Sequence, residues 1–190
     1  MPKSGDFVVP GELLGVAEEF LPGLGAYEED GKIYSSICGY LDFNMKKRFA
    51  FVHPKVDLPP TPKEGDTVIC EVVNIKEKMA YINIIALRGR EEREITGSTK
   101  ARIYISQSAK RYVQRLSNEF RTGDIVRARV LDTKRENIEV STVGADFGVI
   151  RALCTKCRTP LRQRGNKLEC PDCGHLEIRK IASDYGSGKL

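Results

Sequence analysis

The chain of 190 residues has no tryptophan, three methionines and two histidines, His53 and His175. So few imidazoles, with no Ser-His-Asp order or zinc-hydrolase spacing around them, argue against the commonest acid–base and nucleophilic machinery. The 26 carboxylates are scattered, and no pair is brought onto one face by helix or strand periodicity. No stretch approaches the ~18 apolar residues of a membrane span, and the first residues lack a basic head followed by an apolar core. The expectation is a cytoplasmic protein with no membrane contact and no catalytic group.

Six cysteines are present, and four of them are patterned. Cys154 and Cys157, then Cys170 and Cys173, form two C-x2-C pairs separated by twelve residues. Such a turn lets two sulfurs converge on one ion, and four thiolates satisfy tetrahedral Zn²⁺ with no position left for water or substrate. One structural Zn²⁺ is the expected cofactor. Two disulfides are the alternative, and they require an oxidising compartment in which the lone Cys38 and Cys70 would be liabilities. Gly165-Asn166 between the pairs reads as a two-residue hairpin turn. Thus residues 150–182 are expected to form a zinc ribbon, with His175 a bystander.

The run Leu58-Pro59-Pro60-Thr61-Pro62 marks a first boundary, and Val143-Gly144 a second. Lys and Arg number six against nine Asp and Glu in 1–62, sixteen against twelve in 63–143, and nine against five in 144–190. The net charges are −3, +4 and +4. Because a zinc tetrathiolate adds −2 to the last segment, the middle one carries the firmer positive excess and suits a polyanion.

That middle segment alternates. Val68, Cys70 and Val72 share one side of a strand, as do Ala80, Ile82 and Ile84, then Ala101, Ile103 and Ile105, then Val126, Ala128 and Val130. The parity turns Tyr81, Arg102 and Tyr104 outward. Ser108 to Phe120 places Tyr112, Val113, Leu116 and Phe120 at helical spacing, which predicts a short amphipathic helix. A last strand follows from Ile138 to Thr142. Five short strands with one helix after the third describe an OB-type barrel over 63–143.

Several pieces of this segment resemble the S-one RNA-binding domain: Glu64-Gly65-Asp66-Thr67-Val68, Ala80-Tyr81-Ile82-Asn83-Ile84, Ile103-Tyr104-Ile105-Ser106 and Gly123-Asp124-Ile125-Val126. The resemblance implies single-stranded RNA as partner. It puts Tyr81 on a base-stacking position and Tyr104 where the family often has His. Lys78 replaces a second stacking aromatic, and Asn137, with Arg135 nearby, stands where the family has Arg. Lys78, Arg102, Arg127 and Arg129 are then expected to track the phosphate backbone. The alternative is that both tyrosines cover the barrel surface or meet a protein neighbour.

Residues 1–58 read as a small β domain. Turn signatures lie at Val9-Pro10-Gly11-Glu12 and Pro22-Gly23-Leu24-Gly25, a strand runs from Ile33 to Tyr40, and a hairpin turns near Asn44. The whole is mainly β and multidomain. Its order, a Gly-rich β unit opening Val9-Pro10-Gly11-Glu12-Leu13-Leu14-Gly15, an S-one barrel and a four-Cys ribbon, resembles the archaeal RNA exosome cap subunits that carry a zinc ribbon. That resemblance implies a non-catalytic protein. Three copies would sit on a ring of RNase PH-like subunits, gripping it through the Val8 to Tyr27 region and recruiting RNA for 3'–5' degradation. A ribbon and OB-fold factor of transcription or translation, or an enzyme acting on RNA, are the rival readings.

Overall fold

The computed structural model describes residues 1–57, 59–133 and 137–187, so Arg135 lies outside the described residues. The chain divides into two compact units, residues 1–58 and 59–190. The first has seven strands: β1 (Phe7–Val8), β2 (Leu13–Val16), β3 (Leu21–Pro22), β4 (Ala26–Glu29), β5 (Lys32–Ser35), β6 (Gly39–Asn44) and β7 (Phe49–Pro54). One sheet runs β2-β5-β4 and the other β1-β6-β7-β3. Val8, Leu14, Ile33, Leu41, Ala50 and Val52 form their common core.

The single strand expected from Ile33 to Tyr40 is broken in two. The Ser35 hydroxyl donates to the Ile37 carbonyl at 2.6 Å and closes a local turn. Gly39 then passes so near the His53 carbonyl that any Cβ would collide with it. Tyr34 and Tyr40 therefore serve different sheets, against Tyr27 and Phe7 respectively. The hairpin near Asn44 forms as expected, with Asn44 opposite Phe49 and its Oδ1 accepting the Lys47 N–H at 3.1 Å.

In the second unit β8 (Thr67–Ile75), β9 (Met79–Leu87), β10 (Lys100–Tyr104), β11 (Ile125–Asp132) and β12 (Ile138–Ser141) close a five-stranded barrel. Pairing runs β8–β9, β9–β10, β10–β12 in parallel, β12–β11 and β11–β8. Strand alternation places Val68, Cys70, Val72, Ala80, Ile82, Ile84, Ala101, Ile103, Val126, Ala128 and Val130 in the interior, all buried. Ile105 is half-buried, in a 3-10 turn (Ile105–Gln107) that follows β10.

The helix expected over Ser108 to Phe120 is absent; only a 3-10 turn at Leu116–Asn118 forms there. Val113, Leu116 and Phe120 do reach the core, but Tyr112 is 87% exposed. Polar anchors hold the segment in an irregular path: the Thr142 hydroxyl donates to the Ser108 carbonyl at 2.7 Å, and both oxygens of buried Glu119 accept from Arg111. A thirteen-residue helix is marginal by itself, and these side-chain bonds decide against it.

Barrel and ribbon share one unit rather than two. Past the boundary expected at Val143-Gly144, β13 (Gly148–Arg151) pairs with Ile125 to Arg127 of β11 and extends the barrel sheet. At Gly148, with φ of 132°, a Cβ would strike the Lys180 carbonyl, the group that accepts the Val149 N–H at 2.7 Å. Glycine is what lets the C-terminal segment lie against β13. Beyond it β14 (Arg162–Arg164), β15 (Lys167–Glu169) and β16 (Leu176–Glu177) make a three-stranded sheet. Arg164 pairs with Lys167 across the expected two-residue turn. Leu161, Leu168, Cys154 and Cys170 belong to the same core as the barrel interior.

Candidate metal centre and nucleic-acid interface

Each C-x2-C turn folds as a knuckle. The Cys154 carbonyl accepts the Arg158 N–H at 2.9 Å and its sulfur lies 3.4 Å from the Lys156 nitrogen; the Cys170 carbonyl accepts the Gly174 N–H at 3.0 Å. Positive φ at Arg158 and Gly174 completes the two turns. The four Sγ atoms lie within 4.8 Å of one another. Cys154–Cys173 and Cys157–Cys173 are 3.7 Å apart and Cys157–Cys170 3.3 Å. A disulfide needs about 2.05 Å, whereas a tetrahedron with metal–sulfur bonds of ~2.3 Å has edges of about 3.8 Å. The thiols are free, and their spacing is that of ligands around one metal ion, compatible with zinc. Cys154 and Cys170 are buried while Cys157 and Cys173 reach the surface. His175 stays outside the cluster, its carbonyl accepting the Cys170 N–H at 2.9 Å.

Without metal the thiols differ. The hydroxyl and N–H of Thr159, then Cys170, bring Cys157 down to about 6. Although the His175 N–H acts to lower it, Cys173 is pushed up to about 12 by its cysteine neighbours and loss of solvent. Any ion that binds must displace the remaining protons, so affinity falls in acid.

Polar bonds tie the knuckles together and to the barrel. The Thr159 hydroxyl donates to Asp172 at 2.6 Å across the two turns. Glu177 Oε1 accepts the Thr155 N–H at 2.8 Å and hydroxyl at 3.0 Å. Its Oε2 takes Arg179 at 2.7 Å, and Arg179 Nε reaches Asp124, at the foot of β11, at 2.8 Å. All three charged side chains are at least 96% buried. Burial raises Asp124, outweighing Arg179; at Glu177 burial is overcome by Thr155 and Arg179, and the carboxyl is held below its usual range.

On the barrel, one outward row crosses four strands: Asn74, Tyr81, Arg102 and Glu139 stand opposite one another in register. Tyr81 and Tyr104 are half-buried and Lys78 is exposed in the β8–β9 turn. Lys76 Nζ sits 5.2 Å from the Tyr81 ring centroid and Arg102 Cζ 5.1 Å from that of Tyr104. Arg102 Nη2 also holds Glu139 at 2.8 Å. Lys78, Tyr81, Arg102 and Tyr104 thus share a surface of alternating cations and rings. Lys76 was missed by sequence reasoning; the only sign of it was its place in a charged turn.

The other two arginines lie elsewhere. Arg127 is 3% exposed and bidentate to Asp184, at 2.7 and 3.0 Å, with the Asp146 carbonyl at 3.3 Å. This corrects the expectation that it tracks a phosphate chain, because β13 and the C-terminal segment cover its side of β11. Arg129 is exposed beyond β12, its guanidinium 5.0 Å from the Phe147 ring.

No helix among the described residues is long and apolar enough to cross a membrane. A family model described as the Exosome complex exonuclease RRP4 N-terminal region matches residues 7–44. The chain is 36% identical over 183 residues to the Exosome complex component Csl4 of Archaeoglobus fulgidus, covering 96% of this chain and 98% of that protein. It is 28% identical over 193 residues to the mouse Exosome complex component CSL4, covering 93% and 92%. With the Exosome complex component Rrp4 of Methanobrevibacter smithii it shares 28% over 161 residues, 78% of this chain and 45% of that one. Two sheets, a closed barrel and a four-cysteine ribbon, matched nearly end to end by the first of these relatives, make the chain a member of the Csl4 family of exosome components.

Proposed function

We propose that the protein is a non-catalytic, RNA-binding cap subunit of an exosome. Residues 1–58 dock on an RNase PH-like ring, with three copies per complex, and the barrel offers Lys78, Tyr81, Arg102, Tyr104 and Lys76 to single-stranded RNA on its way to 3'–5' degradation in the cytoplasm. Arg129 extends the cationic track. One Zn²⁺ bound by Cys154, Cys157, Cys170 and Cys173 has a structural role. The observation that carries this reading is the near full-length kinship with an exosome Csl4 component.

Two features support its division of labour. The first 62 residues carry net −3, poorly matched to a polyanion, yet Val9, Leu21 and Leu24 in the expected docking region are about half exposed or more. Cations over tyrosine rings suit stacked bases, at about 1–3 kcal/mol per base. Native mass spectrometry of the full chain mixed with RNase PH-like ring subunits tests the proposal. A complex with three copies per ring is expected, and RNA degradation by the ring should speed up while the purified chain alone degrades nothing. Failure to join the ring, or turnover by the isolated chain, overturns it.

A further inference from the structure

A cavity of about 590 Å³ lies where the barrel meets the ribbon, well within the 300–1,000 Å³ typical of small-ligand sites. Ile150, Pro160, Leu161 and Tyr185 give it an apolar lining, and Arg151, Arg162, Gln163 and Asp184 are its polar members. Tyr185 is fixed in place: its hydroxyl donates to the Leu161 carbonyl at 2.9 Å and accepts the Ala152 N–H at 3.2 Å. Asp184 is already neutralised by the bidentate Arg127. Arg151 and Arg162 are exposed and have no ion-pair partner among the described residues.

Apart from Asp184, which is paired with Arg127, the charged side chains lining the cavity are the cations Arg151 and Arg162. Between Asp146 and Glu169 the chain carries six Lys and Arg and no carboxylate. Lys156 and Arg158 lie in the first knuckle, where they offset the −2 of a metal tetrathiolate, and Arg164 is paired with Glu169 at 2.9 Å. The remaining cations include the two at the cavity. An apolar lining that includes a fixed ring, together with two uncommitted guanidiniums, matches the chemistry of a nucleotide, an apolar base and an anionic phosphate. We infer that this cavity is a second contact for single-stranded RNA, taking one unstacked base against Tyr185, Pro160 and Leu161 and its phosphate between Arg151 and Arg162. The inference rests on the RNA-binding reading but uses no residue of the Tyr81 face.

The test is fluorescence anisotropy of the full-length, metal-loaded protein with a labelled single-stranded oligo(U) of about 20 nucleotides, long enough for more than one OB-sized site, over a range of salt. For Arg151→Ala/Arg162→Ala, loss of the one phosphate the pair neutralises should flatten the log–log salt slope by about 0.7. Affinity should fall about tenfold at low salt, while the double Lys variant keeps the slope. Irradiating 5-iodouridine RNA with the wild type should crosslink Tyr185. Tyr81→Ala/Tyr104→Ala runs alongside. Weakening by the arginine pair together with the crosslink supports the cavity, whatever the tyrosine pair does. Weakening by the tyrosine pair alone overturns the cavity and leaves the RNA-binding reading standing. Wild-type protein that shows no salt-dependent binding overturns both.

Discussion

Arg102 and Arg127 are outward-facing arginines on two strands of the same barrel, and the structure treats them oppositely. Arg102 stays at the surface, paired with Glu139 beside Tyr81 and Tyr104. Arg127 lies under β13 and the C-terminal segment, locked to Asp184. The second layer has a small apolar core of its own: Ile69 and Ala86, from the outer side of β8 and β9, pack with Ile150 and Ala182. Strand alternation says which side of a barrel wall a residue takes. It cannot say whether a later stretch of chain returns to cover that side, and that return turns a ligand-facing position into a structural one.

The largest effect follows from the ribbon's place in this second layer. Structural zinc contributes about 10–16 kcal/mol of apparent binding energy in zinc-finger peptides, and here the thiolates of Cys154 and Cys170 abut the barrel core. Chelation, or Cys154→Ser, should therefore loosen the covered face as well as the ribbon. Hydrogen exchange is expected to lose protection throughout 148–187 and in β11, while β6 and β7 of the separate first unit keep theirs. Release confined to 152–177, with β11 unchanged, would show that ribbon and barrel are energetically independent. Elemental analysis of reduced, natively purified protein should find one zinc per chain.

The next effect isolates the polar link between the layers. Arg179→Met leaves Asp124 and Glu177 buried without their shared cation, an arrangement that costs about 3–5 kcal/mol. Denaturant unfolding followed by circular dichroism should show that loss in the second unit. Adding Asp124→Asn and Glu177→Gln should restore much of it, because what destabilises is the pair of stranded charges.

Much of this was legible in the chain. Period-two alternation identified the barrel interior with the exception of Ile105, and the C-x2-C spacing identified four sulfurs that do converge. What stayed hidden was tertiary. The spacing of Val113, Leu116 and Phe120 reports burial correctly but not the path between, which Ser108 and Glu119 fix through their carbonyls, bonded to the Thr142 hydroxyl and the Lys180 N–H on distant segments. Asp184, which claims Arg127, lies 57 residues away in a segment with no motif. Local patterns register faces; they carry no record of a long-range salt bridge.

Substituting the two arginines tests the comparison directly. Arg127→Ala removes two charge-assisted hydrogen bonds from a buried position and should cost about 1–3 kcal/mol, with RNA affinity little changed. Arg102→Ala breaks a pair whose members both keep some solvent contact; it should cost at most about 1 kcal/mol and weaken RNA binding more than Arg127→Ala does. The reverse ranking in either assay would undo the assignment of one face to RNA and the other to folding.

The smallest effect is a pH dependence confined to the covered face. The Arg127 hydrogen bonds hold the Asp184 carboxyl below its ordinary 3.8. A depressed folded value means that the stabilisation is fully present above the unfolded value and is lost as pH falls through the folded one. The C-terminal strap, in which the Ala182 N–H donates to the Val149 carbonyl at 3.0 Å, should therefore loosen only below about pH 4. Amide chemical shifts of Val149 and Ala182, followed by NMR as acid is added, read that step. In Arg127→Met the Asp184 titration should move up towards its ordinary value, because the charge that depressed it is gone. An unchanged midpoint would mean that the ion pair is not what fastens the second layer to the barrel.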